Sequence, residues 1–156
     1  MRRILLAFIV LTALVSAAVG AGAAGASTTV RFEASFAESL CEGGNPCGSA
    51  VVASFGTGSY LLHFGDALCT AEQPALVTLT LTDGSTLRWC QIGINRVDVQ
   101  GGLIEPFSGP FTVLDGTGVF AGATGGGIQV AIWVHDRETG ELRVARRHYN
   151  GTLTLP

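Results

Sequence analysis

The stretch that most constrains this chain is Val113-Leu-Asp-Gly-Thr-Gly-Val-Phe-Ala-Gly-Ala-Thr-Gly-Gly-Gly127, in which six of fifteen residues are glycine. An extended run enters it and another leaves it, so it reads as a tight reversal between two strands. Gly116 and Gly118 can take the positive φ values a tight reversal needs, and Asp115 can hydrogen-bond its own turn. Gly122 and Gly125 extend the same permissive backbone. Phe120 is the one large side chain in the reversal itself, which predicts that it plugs an apolar interior.

The rest of the chain repeats that grammar. Val30, Phe32, Ala34 and Phe36 alternate with Arg31, Glu33 and Ser35, the period of a half-buried strand. Ser49 to Phe55 reads as a short apolar strand, Gly56-Thr57-Gly58 as a turn, and Tyr60, Leu62 and Phe64 as the inner face of a third strand. Residues 65–75 read as loop. Val77, Leu79 and Leu81 alternate with threonines up to Asp83-Gly84, and Ser85 to Ile94 returns, a strong hairpin signal. Arg96 to Gln100 continues that strand or starts another. Phe107 to Leu114 enters the glycine-rich reversal, with room for a turn of helix over Thr117 to Ala121. Ile128 to Val134 leaves it, Asp136 to Gly140 turns, and Glu141 to Tyr149 and Thr152 to Leu155 close the chain. Eight or nine short strands joined by short reversals predict an all-β fold, an antiparallel up-and-down barrel.

The N-terminus sets the compartment. Met1-Arg2-Arg3 is basic, Ile4 to Val15 is an almost unbroken apolar run, and Ala24-Gly25-Ala26 is a small-residue site. This is the pattern of a cleaved secretory signal over residues 1–26, with the apolar run too short for a comfortable span. Residues 27–156 then form one domain, expected outside the cytoplasm and without a membrane segment. Removing Arg2 and Arg3 leaves seven of nine arginines against twelve acidic residues, a formal charge of −5. That balance argues against nucleic acid as a partner. The absence of lysine reads as GC-rich coding and suggests a bacterial source. Cys41, Cys47, Cys69 and Cys90 are even in number in an exported chain, which favours two disulfides from three pairings. Cys41–Cys47 with Cys69–Cys90 is the pairing that closes the shortest loop; a zinc site is disfavoured because no Cys-x-x-Cys pair exists.

Gly116-Thr-Gly-Val-Phe120 followed by Ala-Gly-Ala-Thr-Gly125 resembles the glycine-rich hairpin of allene oxide cyclase-like and dirigent-like barrels, as in small exported bacterial proteins. Cys47-Gly48-Ser49-Ala50 and Phe55-Gly-Thr-Gly58 resemble the first half of those proteins. The resemblance implies an eight-stranded antiparallel, calycin-like barrel, in some members a dimer or trimer. It also implies binding of apolar precursors and, in plant members, cofactor-free cyclisation or coupling. The matching residues are glycines, a threonine and a phenylalanine, so no catalytic residue is carried over.

Chemistry is sparse in the sequence. Gly116-x-Gly118-x-x-Ala121 lacks the following helix that a dinucleotide site requires. His63, His135 and His148 have no ligand spacing, no nucleophile elbow is present, and no metal or cofactor is expected. Arg143, Arg146, Arg147, His148 and Tyr149 form the one cationic and aromatic concentration, whose alternation sends one or two members to the interior; they are the first candidates for an acidic ligand, Arg146 and His148 among them. His63, Glu105 and Arg146 are the candidates for a polar group inside an apolar cavity. Trp133 and Ala131 lie opposite Ile128, Val130, Ile132 and Val134, a strand apolar on both faces and therefore expected to be covered on both, by loops or by a second subunit. The leading expectation is a binding module for a small apolar molecule, followed by an interaction protein and then a cofactor-free cyclase or isomerase.

Overall fold

The computed structural model describes residues 26–95 and 103–156, so nearly all of the leader and Arg96 to Gln100 lie outside the described residues. The strands are β1 (Thr28–Leu40), β2 (Pro46–Val52), β3 (Gly56–Phe64), β4 (Ala75–Leu81), β5 (Thr86–Gln91), β6 (Ile94–Asn95), β7 (Ile104–Gly116), β8 (Thr124–His135) and β9 (Leu142–Leu155). Each pairs antiparallel with its neighbours, β1 pairs with β9, and a β5–β7 ladder closes the ring. The two-residue β6 only extends the edge of β7, so the result is the expected eight-stranded up-and-down barrel. Closure leaves no unpaired edge along the barrel wall among the described residues.

Four local expectations are corrected. The β2–β3 turn falls at Ala53–Phe55, and Gly56 to Gly58 already belong to β3. Gly125 to Gly127 lie inside β8, not in the reversal: side chains there would strike the carbonyls of Phe111, Asn150 and Thr152 on the flanking strands. The last two runs are one strand, β9, which passes through Asn150-Gly151 without a break. Asp115 does not cap its own turn, because Arg88 on β5 holds it across the sheet through Nε (2.7 Å) and Nη2.

Of the two glycines expected to take positive φ, only Gly118 does; Gly116 ends β7, where a side chain would strike the Phe120 carbonyl and Cβ. Gly118 to Phe120 form a single 3₁₀ turn. Gly118 has φ +59°, and a methyl there would stand 2.2 Å from Ser85 Oγ. That oxygen is needed where it is, since it accepts from Val119 N at 3.1 Å. Phe120 is fully buried and packs on Phe55 at 4.8 Å between ring centroids, plugging one end of the barrel.

Cys41–Cys47 and Cys69–Cys90 are bonded, the first across the β1–β2 connection, the second tying the 65–74 loop against β5.

Alternation decides the interior. Phe32, Phe36, Tyr60, Trp89, Phe111 and Tyr149 point inward and fill the middle of the barrel with aromatic rings. Phe36 stacks on Tyr60 at 4.3 Å, and Tyr149 lies 5.0 Å from both Phe36 and Trp89. Leu62, Leu79, Leu87 and Leu153 complete the packing, each worth about 1.5–3 kcal/mol for its burial. The barrel is filled with its own side chains, as small eight-stranded barrels can be.

Candidate functional site

The inward parity of β1 runs Phe32, Ala34, Phe36 and then Glu38, which is 8% exposed. The inward parity of β9 runs back from Leu153 through Gly151 and Tyr149 to Arg147, which is 3% exposed. An acid and a base thus arrive in the interior at the end opposite Phe120. Burial of unpaired charge is expensive, so the two must pair. Arg147 Nε donates to Glu38 Oε1 at 2.5 Å and Nη2 to Oε2 at 3.4 Å. Trp133 Nε1 donates to Glu38 Oε2 at 3.1 Å, and Arg147 Nη1 to Gln129 Oε1 at 3.0 Å. Gln129 then donates to the Ile92 carbonyl at 3.1 Å. Burial disfavours the charge on Arg147, but the Glu38 carboxylate that accepts from it favours the charge, and its pKa is raised.

A second polar group adjoins the first. Gln91 on β5 accepts from the Tyr149 hydroxyl and, at 3.4 Å, from Trp89 Nε1. Burial pushes the Tyr149 phenol above its usual range; for Tyr60 burial comes first and the Glu38 carboxylate adds to it. Both phenols therefore stay protonated, and Tyr149 donates. The buried Tyr60 hydroxyl has no hydrogen-bond partner among the described residues.

Gln91 and Arg147 also line a small cavity of about 60 Å³ with Leu62, Phe64, Ala75, Gly93, Phe107 and Trp133. That is the volume of about two water molecules. Its lining mixes the polar Gln91 and Arg147 with apolar side chains, at the end of the barrel away from the Phe120 plug.

The residues expected as interior polar groups lie elsewhere. Arg146 and His148 face outward, because their neighbours Arg147 and Tyr149 take the inward phase. They line an outer groove of about 280 Å³ with Val130, Ile132 and Val134. His63 is exposed and meets Asp66 at 3.4 Å. Glu105 is half-buried at the rim, 3.6 Å from His135 Nε2. The three histidines sit apart, and among the described residues no three of His, Cys, Asp and Glu gather in one place. Glu38, Gln91 and Gln129 are the functional candidates that sequence reading missed; Arg147 was read as one of the cationic cluster and is the arginine of it that turns inward. The signal was present in parity alone: Glu38 is in phase with Phe36, and Arg147 with Tyr149 and Leu153.

No family model matches the chain, and no curated protein does. Among solved structures it is similar to a pterocarpan synthase dirigent protein, at 13% identity and a TM-score of 0.36, over 83% of this chain and 85% of that one. The barrel assignment rests on the strand pairing above, and no residue role passes from that protein to this one.

Proposed function

We propose that this chain is an exported binding module that takes a small, largely apolar molecule at the Glu38 end of the barrel. Residues 1–26 serve as the export signal and residues 27–156 as the module. Two disulfides support the compartment, since they persist where the surroundings are oxidising. The observation that carries the reading is a buried, hydrogen-bonded Glu38–Arg147 pair beside a cavity that Leu62, Phe64, Ala75 and Phe107 also line. The filled interior leaves no room for a whole ligand. A polar group of two or three heavy atoms fits beside Gln91 and Arg147, with the apolar body resting on Phe64 and Phe107 at the rim.

Binding is favoured over catalysis by the state of the acid. Both Glu38 oxygens are already engaged, by Arg147 and Trp133, so the carboxylate is built into the fold and is not free to move a proton. A cofactor-free isomerase needs such a free group.

The test is fluorescence of the exported protein, with Trp133 at the cavity wall, during titration with small neutral molecules carrying one carbonyl or hydroxyl. Saturable change for at least one compound, lost in Ala75→Leu, is the expected result. Change that survives Ala75→Leu would move the site elsewhere.

A further inference from the structure

A second feature lies on the outside of the barrel, separate from the cavity at its end. Ile128, Val130 and Ile132 alternate along the outer face of β8 and remain 52%, 49% and 48% exposed. In register beside Val130 stands His148, and beside Ile132 stands Arg146. Val130, Ile132, Val134, Arg146 and His148 enclose the groove of about 280 Å³, close to the lower end of small-molecule sites. From Val130 to Val134 the strand advances about 13 Å, so the aliphatic wall is long and narrow.

The charges around it are unbalanced. Arg31, Arg88, Arg143 and Arg147 each meet a carboxylate. Arg146 meets none among the described residues, and the residues opposite it on both sides, Ile132 and Ala37, are apolar. His148 is oriented by Ser35, whose Oγ lies 2.8 Å from Nδ1. Of the two described arginines without a carboxylate, Arg137 and Arg146, the second thus stands at the edge of an aliphatic groove.

Backbone pairing narrows the occupant further. β8 is bonded to β7 and β9, and β9 to β8 and β1, so neither strand has main-chain groups to offer an added peptide strand. What remains is side-chain chemistry: an aliphatic wall and a cation. We infer that this groove is a binding site for a single-chain amphiphile with an anionic head, the alkyl chain lying along Val130, Ile132 and Val134 and a carboxylate on Arg146. This site is independent of the cavity at the Glu38 end.

The experiment is methyl NMR of the oxidised, exported protein titrated with decanoate, decanol and decyltrimethylammonium, each below its micelle-forming concentration. Decanoate is expected to shift the Val130, Ile132 and Val134 methyls saturably and to bind at least tenfold more tightly than the ammonium compound. Arg146→Gln should weaken decanoate about tenfold and leave decanol unchanged. Val130→Thr, which keeps the shape of an exposed residue, should weaken all three. Equal affinity for the three compounds would overturn the inference, as would shifts confined to Leu62 and Ala75 at the barrel end. Groove methyls that broaden with protein concentration and without ligand would assign the groove to a second copy of the chain and equally overturn it.

Discussion

Removing one partner of the Glu38–Arg147 pair should be far more harmful than removing both charges. Glu38→Gln leaves the Arg147 guanidinium, 3% exposed, facing only neutral groups, and Arg147→Met leaves the Glu38 carboxylate with Trp133 as its single donor. Each single change is expected to cost about 3–5 kcal/mol, because the remaining charge is buried without compensation. In the double variant the amide introduced at position 38 can still accept from Trp133, methionine fills much of the arginine stem, and the chief loss is the donor to Gln129. It should lie within about 1–2 kcal/mol of the parent protein. About 130 residues after the leader give an unfolding entropy near 0.27 kcal/mol per degree, so each single variant should melt about 10–20 °C lower and the double only a few degrees lower. Thermal unfolding of the oxidised proteins by circular dichroism at neutral pH, read as a double-mutant cycle, measures this. Single variants melting within about 3 °C of the parent, or a double equal to the sum of the singles, would refute the claim that the pair is buried and mutually compensated.

Gly118→Ala places a methyl against Ser85 Oγ at φ +59° and should destabilise by about 2 kcal/mol or more in chemical unfolding, whereas Gly140→Ala, with open space around it, carries only the backbone penalty of about 1 kcal/mol. Replacing Cys69 and Cys90 together by alanine opens a loop of separation 21 and should cost about 3 kcal/mol; Cys41 and Cys47, of separation 6, about 2 kcal/mol, both measured against the oxidised parent. Asp136 accepts from the amides of Thr139 and Glu138 and pairs with Arg143, and the amides, Thr139 first, bring its pKa down to about 2. Because the folded value lies below the ordinary one, its contribution is complete above about pH 4 and is lost as pH falls through about 2. The Thr139 and Glu138 amide resonances should titrate in that window and stop doing so in Asp136→Asn.

The barrel was largely legible because its cues are local. Phe32, Ala34 and Phe36 fix the phase of β1, Asp83-Gly84 fixes a hairpin, and Phe120 stands alone among glycines. Ser85 shows why the Asp83 turn is firm, since its amide donates to Asp83 Oδ1 at 2.8 Å. The candidate site was not legible in the same way, because hydrophobicity misleads on β8 and β9, two of the strands that build it. On β8 the isoleucines and valines face out, while Gln129, Ala131 and Trp133 face in. The outward Arg146 and inward Arg147 are adjacent and chemically alike. What separates them is register, Arg147 standing opposite Phe36 and Ala131, and register is a property of three strands together. Parity carried from Leu153 would have given the answer at Arg147, and parity carried from Phe36 would have given Glu38. Gln129 is different: a buried amide beside exposed isoleucines is explained by its hydrogen bonds to Arg147 and Ile92, which no single-strand pattern contains.

The most direct test of the central claim, a binding site at the Glu38 end, is NMR of the exported, oxidised protein with a panel of small neutral aromatic and aliphatic carbonyl compounds and alcohols. The account predicts that at least one compound shifts the Trp133 indole proton and the Leu62 and Ala75 methyls together and saturably, while the Gly118 to Phe120 amides, at the plugged end of the barrel, move little. A panel that leaves Trp133, Leu62 and Ala75 unmoved, or that shifts only residues outside the cavity, would contradict it.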